Sequence, residues 1–230
     1  MPLWKNDDEL FQIAKRELFV ALVGDMLDKI GLLHQFLPQP VKPLSDDFVT
    51  IGRAMPVLEA DVFAERGEAT RNPLMAQPFG LMFHALDSLK RNEVYICSGS
   101  SHRYALWGGL MSTRAHKLGA AGAVVDGFTR DTNEILALGF PTFSVGTYAQ
   151  DQGQRGKVID YATPIEFGGI RVSPGDIVYG DRDGVLIIPR DVEEEVFSTA
   201  IEKARGEKLV RQALEEGMST VDAFEQFGIM

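Results

Sequence analysis

Between residues 8 and 30, Leu10, Phe11, Ala14, Leu18, Ala21 and Leu22 recur at spacings of three and four, which predicts helix. Gly24 interrupts that pattern and predicts two helices rather than one, with Gly31 as the stop. Residues 34–47 carry Pro38, Pro40 and Pro43 among polar neighbours and read as loop. Residues 48–63 read as strand through Val49, Ile51, Ala54, Val57 and Leu58. A polar stretch over 64–77 predicts a flexible loop, and helical spacing returns over 79–89. Residues 94–97 form a short, wholly apolar strand, closed by the turn Ser98-Gly99-Ser100-Ser101. Residues 103–118 are helical in composition, while 121–125 and 142–145 have the character of buried strands. Several strands follow over 157–189, with turns at Gly168-Gly169, Pro174-Gly175 and Asp183-Gly184. Residues 191–216 predict a long charged helix with a break at Gly206, and 220–227 a last helical turn or two.

Helices alternate with short apolar strands through the first two-thirds of the chain, and strands dominate before the last helix. That order predicts an α/β fold: one layered domain over 1–230 with a mixed, partly parallel central sheet. Helical extensions flank it, the C-terminal one from about residue 191.

Composition narrows the function classes. Lys and Arg total 23 against 33 Asp and Glu, a formal charge of −10. Sequence-independent binding to nucleic acid or to an anionic membrane needs clustered positive charge, so neither partner is expected. A small anionic substrate remains compatible, because one local arginine can outweigh the global field. Cys97 is the sole cysteine, so no internal disulfide can form. The first eight residues are too acidic and broken for a secretory signal, and no apolar run reaches the roughly 18–20 residues of a membrane span. A cytoplasmic protein is expected.

Three segments could carry chemistry. In the first, the strand ending at Val125 leads through Gly127 to Arg130-Asp131. Ligands of α/β sheets sit beyond the carboxyl ends of strands. Arg130 offers a planar fork of donors for a carboxylate or enolate oxygen, and Asp131 could hold a hard divalent cation. An exposed ion pair in a strand-end turn reads equally well. In the second, Trp107-Gly108-Gly109-Leu110-Met111, paired glycines let backbone N–H groups approach an anion; tight helix packing is the alternative. The third, residues 174–189, is a β-hairpin with Asp183-Gly184 at its tip, and its acids read as turn chemistry before metal ligands.

His34, His84, His102 and His116 show no zinc-ligand spacing. Any metal should therefore have oxygen ligands, which favours Mg2+ or Mn2+. No nucleophile elbow and no phosphate-binding loop occur.

Together these segments resemble the RraA-like family, including its class II 4-hydroxy-4-methyl-2-oxoglutarate aldolases. Gly24 to Gly31 looks like the family's first-helix signature, 107–111 its substrate-binding turn, 174–189 its hairpin, and Gly217-Met218-Ser219-Thr220 with Phe224 its tail. Twenty residues separate Gly109 from Arg130-Asp131, and Glu134 falls three further on; that spacing matches the aldolase motif.

The resemblance implies a swivelling-domain-like RraA fold and a metal-dependent lyase that cleaves 4-hydroxy-2-oxo acids to pyruvate, with oxaloacetate decarboxylation as a related reaction. It implies that Gly108, Gly109, Leu110, Met111 and Arg130 bind the pyruvyl head, and that Asp131 holds the metal. Glu134 would hold a metal-bound water, and Glu207 would reach the site from a neighbouring subunit of a homotrimer or dimer of trimers. Many of the aldolases carry an acid where this chain has Gly109, and His102 is a candidate for a different solution. The competing reading is a non-catalytic regulator, since some RraA-like proteins bind and inhibit ribonuclease E. That type tends to lack the Arg-Asp pair.

Overall fold

The computed structural model describes residues 3–63 and 71–228. In chain order the elements are α1 (Asp7–Glu17), α2 (Val20–Lys29), β1 (Lys42–Pro43), β2 (Thr50–Asp61), α3 (Met82–Ser88), β3 (Glu93–Ser98), β4 (Ala105–Trp107), α4 (Gly109–Leu118), β5 (Gly122–Val125), β6 (Phe128–Thr129) and α5 (Thr132–Leu138). There follow β7 (Thr142–Ser144), β8 (Gly146–Thr147), β9 (Gly156–Tyr161), β10 (Ile165–Phe167), β11 (Ile170–Val172), β12 (Ile177–Gly180), β13 (Val185–Ile188), α6 (Glu193–Glu215) and α7 (Thr220–Phe227). The chain forms two compact units, one of residues 34–190 and one in which residues 1–33 meet 191–230.

The larger unit is built on a mixed sheet of order β1-β7-β5-β3-β2-β12-β13, with β9 pairing along β2. β2, β3, β5 and β7 run parallel, and the remaining strands are antiparallel to their neighbours. Successive side chains of a strand point to opposite faces. Tyr95, Cys97, Ala123 and Val125 therefore enter one core with Met82, Leu86, Ala115 and Ile135 of the three helices. Val94, Ile96 and Val124 enter a second core, closed by Ile165, Phe167, Ile170 and Val172 of the β10–β11 hairpin. Strands covered on both faces have no polar side to alternate with, which explains the continuous apolar runs at β3 and β5. The expected hairpin is present as β12–β13. Its acids serve the backbone: Asp176 accepts from the N–H groups of Ser173 and Arg190, and Asp181 from that of Asp183.

A second, small sheet decides where the chemistry can be. β4, β6 and β8 pair in parallel, in that order. Residues 103–118 are thus not one helix as expected. Ala105, Leu106 and Trp107 are a buried strand, and α4 begins only after it. The residue before the helix, Gly108, is fully extended and carries the chain around the corner. Trp107 anchors that corner. Its ring packs on Tyr95 and Phe140, and its indole N–H donates to Ser112 Oγ at 2.6 Å. Ser112 Oγ in turn donates to the Gly108 carbonyl at 3.0 Å.

In the helical unit the first break falls at Leu18 and Phe19, not at Gly24, which is buried within α2. Leu18 buries its side chain and donates its N–H to the Ala14 carbonyl, so the break needs no glycine. α6 runs unbroken through Gly206. Its buried face of Phe197, Ala200, Ile201 and Ala204 recurs at helical spacing and packs against α1 and α2, which overrides the modest propensity cost of one glycine. Arg205–Glu17 and Lys203–Asp25 ion pairs flank that packing. Of the expected loop over 64–77, residues 64–70 lie outside the described residues, and Pro73–Ala76 forms a single 3-10 turn capped by Asn72.

Removing the Ser112 hydroxyl strands a buried indole N–H. Ser112→Ala should destabilise the protein by about 1–3 kcal/mol, read as a lower urea midpoint at unchanged slope.

Candidate active site

The three strands of the small sheet each end at a segment with chemistry. β4 delivers Gly108-Gly109, β6 delivers Arg130-Asp131, and the segment after β8 delivers Asp151. The backbone links them: Arg130 N–H donates to the Trp107 carbonyl, and Ala105 N–H to that of Gln150. This is the carboxyl-end placement expected of parallel strands, on a sheet other than the main one.

Arg130 and Asp131 are both part-exposed, and their charged ends lie 3.7 Å apart. Arg130 Nη1 also pairs with Asp151 Oδ1 at 3.1 Å, and Asp151 Oδ2 accepts from the Gly153 N–H. Asp131 has a left-handed backbone, with φ at 56°. Aspartate tolerates that region better than most residues, though at a cost, and such strain gathers at functional sites. The conformation makes Asp131 the first cap of α5: its carbonyl accepts from the N–H groups of Glu134 and Ile135. Its side chain is released from capping and turns back to accept from the Gly109 N–H at 3.1 Å.

The glycine pair makes this approach possible. A Cβ on Gly108 would lie 2.9 Å from Asp131 Oδ2 and 3.4 Å from Arg130 Cγ. A Cβ on Gly109 would run into the Glu134 carboxylate and sit 3.2 Å from Asp131 Cβ. The space beside the turn is therefore filled by Glu134, and an acidic side chain at position 109 would compete with it for one place. The first intrahelical bond of α4 is Ser112 N–H to the Gly108 carbonyl. The N–H groups of Leu110 and Met111 therefore have no carbonyl acceptor within the helix.

A cleft of about 290 Å³ opens beside these groups, lined on one side by Gly108, Arg130, Asp131 and Asp151 and on the other by α3. A second, more polar hollow of about 370 Å³ lies across Arg130 and Asp131, walled by Thr129, Thr132, Thr147 and Tyr148. Of the expected site residues, Gly108, Leu110, Met111, Arg130 and Asp131 line the first cleft; Gly109 and Glu134 do not, and the Glu134 carboxylate lies against Gly109 within the turn. Glu207 belongs to the helical unit, where it faces Lys203 at 3.5 Å. His102 pairs with Asp126 at 2.8 Å and stacks edge-on to Phe128, and it does not line the cleft. No group of three or more His, Cys, Asp or Glu side chains clusters to hold a metal among the described residues. Two oxygen-donor carboxylates beside an open cleft nevertheless fit Mg2+, which keeps most of its waters and takes one or two carboxylates.

Two residues escaped the sequence. Asp151 and Gln152 stand in a loop with no periodicity, and only the β8 crossover brings them here. Gln152 lines the cleft and donates to Glu59 Oε2 at 3.2 Å. Glu59, at the point where β2 slips register against β9, is 2% exposed. Burial, then the nearby Asp61 charge, pushes its carboxyl up to about 9 against the smaller pull of Lys157. Its second oxygen has no hydrogen-bond partner. A neutral carboxylic acid is the form such a site accommodates.

Residues 20–187 match the family model described as Aldolase/RraA, RraA-like. The chain belongs to the RraA-like family. A protein of Halalkalibacterium halodurans named "Putative 4-hydroxy-4-methyl-2-oxoglutarate aldolase" is 35% identical over 209 residues, 91% of this chain and 90% of that one. Protein DlpA of Legionella pneumophila is 27% identical over 212 residues, 90% of this chain but 32% of DlpA, so the chain spans about a third of that relative. The crystal structure of Streptomyces coelicolor RraAS2, titled an unusual member of the RNase ES inhibitor RraA protein family, superposes with a TM-score of 0.75. It is 22% identical, over 91% of this chain and 99% of that one, a likeness of fold. The mixed α/β architecture expected from the sequence is thus the RraA-like one. Among the described residues no helix is long and apolar enough to cross a membrane.

The raised Glu59 value carries a pH signature. Between about 4.5, where an ordinary glutamate titrates, and about 9, the folded protein holds a proton that the unfolded chain has released. Stability from this group is complete below that window and is lost as pH rises through it. Glu59→Gln, neutral throughout, should flatten the fall in Tm between pH 6 and pH 9; an unchanged slope would assign the titration elsewhere.

Proposed function

We propose that this RraA-like protein is a divalent-metal-dependent lyase, a class II pyruvate aldolase that cleaves 4-hydroxy-2-oxo acids to pyruvate and also decarboxylates oxaloacetate. One observation supports the reading above all: a guanidinium, a glycine turn with free N–H groups and two carboxylates converge at one cleft. A regulator that only binds protein has no need of that convergence.

Arg130 and the N–H groups of Leu110 and Met111 bind the pyruvyl carboxylate and keto oxygen. Asp151 holds the guanidinium meanwhile, so that substrate exchanges one carboxylate for another at Arg130. Cleavage breaks the C3–C4 bond. The 4-hydroxyl gives up its proton, C4 becomes a carbonyl carbon, and the bonding pair moves to C3, leaving the enolate of pyruvate. Proton addition at C3 then yields pyruvate. Arg130 is a fixed positive centre where the enolate charge develops, and a preorganised charge costs no reorganisation at that moment. Glu134, against the turn, takes the 4-hydroxyl proton through an intervening water. Asp131, with Glu134 behind it, would hold Mg2+ or Mn2+, which supplies Lewis-acid stabilisation of that enolate when bound. No lysine is required for a Schiff base.

The same reading includes a homotrimer, or a dimer of trimers, in which Glu207 of a neighbouring copy approaches the site.

The experiment is pyruvate release from 4-hydroxy-2-oxo acids and oxaloacetate, with Mg2+ and after chelation. Activity should depend on the metal. Asp131→Ala should lose on the order of 100–1,000-fold in kcat/KM, as should Arg130→Lys, because an ammonium cannot reproduce the bidentate fork. No pyruvate from any substrate, with metal binding unchanged in Asp131→Ala, would overturn the proposal.

A further inference from the structure

One cation lines the cleft among the described residues. Among the described residues lining it and the adjoining polar hollow, Arg130 is the sole positive side chain, and Asp131 and Asp151 already stand beside it. A pyruvyl carboxylate uses Arg130 fully. A second carboxylate at the far end of a substrate would meet no cation and two aspartates.

The rest of the cleft is apolar. Met82 and Leu86 of α3 and Leu106 of β4 form its buried wall, and Phe79, Phe83 and Leu110 form its mouth. Phe79 has φ of 59°, a region that a bulky aromatic residue enters only when its surroundings force it. The loop is held there by the Phe79 carbonyl, which accepts from the Val158 and Met82 N–H groups. The outcome is an aromatic pair, Phe79 and Phe83, edge to face at 5.4 Å. The Gly108–Met111 turn borders this apolar cleft and not the polar hollow, so a pyruvyl head bound at the turn directs its tail between α3 and β4. A volume of about 290 Å³ is at the small end of ligand pockets, which suits a compact tail.

We infer that the cleft selects 4-hydroxy-2-oxo acids whose C4 substituent is apolar, a short alkyl or an aryl group, over those ending in a second carboxylate. The inference rests on the lyase reading for its head group and goes beyond it in naming the tail. The products are pyruvate and an apolar aldehyde or ketone.

Two measurements separate the two claims. First, pyruvate release with Mg2+ is compared for 4-hydroxy-2-oxo-4-phenylbutanoate, 4-hydroxy-2-oxoheptanoate and 4-hydroxy-4-methyl-2-oxoglutarate. The apolar substrates should lead in kcat/KM by on the order of 100-fold, the effect of leaving a carboxylate unpaired against apolar walls. Phe83→Arg, on the exposed face of α3, should narrow that ratio at least tenfold by improving the dicarboxylate. Second, calorimetric binding of 2-oxo-4-phenylbutanoate and 2-oxoglutarate reads the same preference without turnover. Turnover with the dicarboxylate preferred overturns this inference and leaves the lyase standing. Apolar preference in binding with no turnover of any substrate does the reverse. Neither binding nor turnover overturns both.

Discussion

The hydrogen bond from the Gly109 N–H to the Asp131 carboxylate joins the two halves of the site, and most of the local structure exists to allow it. It requires a glycine pair, because a Cβ on either residue would occupy space that Asp131 or Glu134 fills. It requires Asp131 to adopt a left-handed backbone, so that its carbonyl caps α5 and its side chain is free to turn back. It also requires the ends of β4 and β6 to be neighbours, which the parallel pairing of the small sheet provides. Trp107, packed on Tyr95 and Phe140 and bonded to Ser112, fixes the corner from behind. A carboxylate so placed has one edge satisfied by backbone and the other open to the cleft.

Electrostatics at the site are local, not global. The chain carries a formal charge of −10, yet the cleft presents a guanidinium, helix N–H groups and two flanking acids within a small volume. Interactions between exposed charges fade beyond about a Debye length, roughly 8 Å at physiological salt, so the distant acidic surface does not decide what binds. Behind the cleft the logic is inverted. Glu59 is buried with one oxygen bonded by Gln152 and one unpaired, and the cheapest state is neutral. Gln152 therefore connects an open, charged surface to a closed, uncharged interior.

Much of the fold was legible along the chain. The strands at β2, β3, β5 and the β12–β13 hairpin follow from apolar runs and Gly-containing turns, and the helices around them from three-and-four spacing. The spacing from Gly109 through Arg130-Asp131 to Glu134 singled out residues that the fold brings into contact, of which Arg130 and Asp131 line the cleft. The misreadings have two causes. Gly24 and Gly206 are weak local breakers, and helix-to-helix packing outweighs them. Ala105-Leu106-Trp107 is too short to show any period and is buried on every side, so composition alone could not separate it from the helix that follows.

Sequence by itself thus determined most element types, the layered α/β class and a candidate pair in Arg130 and Asp131, because periodicity and motif spacing are local properties. Tertiary structure decided everything that depends on residues far apart in the chain. It brought Asp151 to Arg130 across a strand crossover, filled the space at Gly109 with Glu134, set α3 as an apolar wall opposite the only lining cation among the described residues, and buried Glu59 far enough to keep its proton. Each of these is a matter of which atoms share a volume and how much water they exclude, and no linear pattern records it.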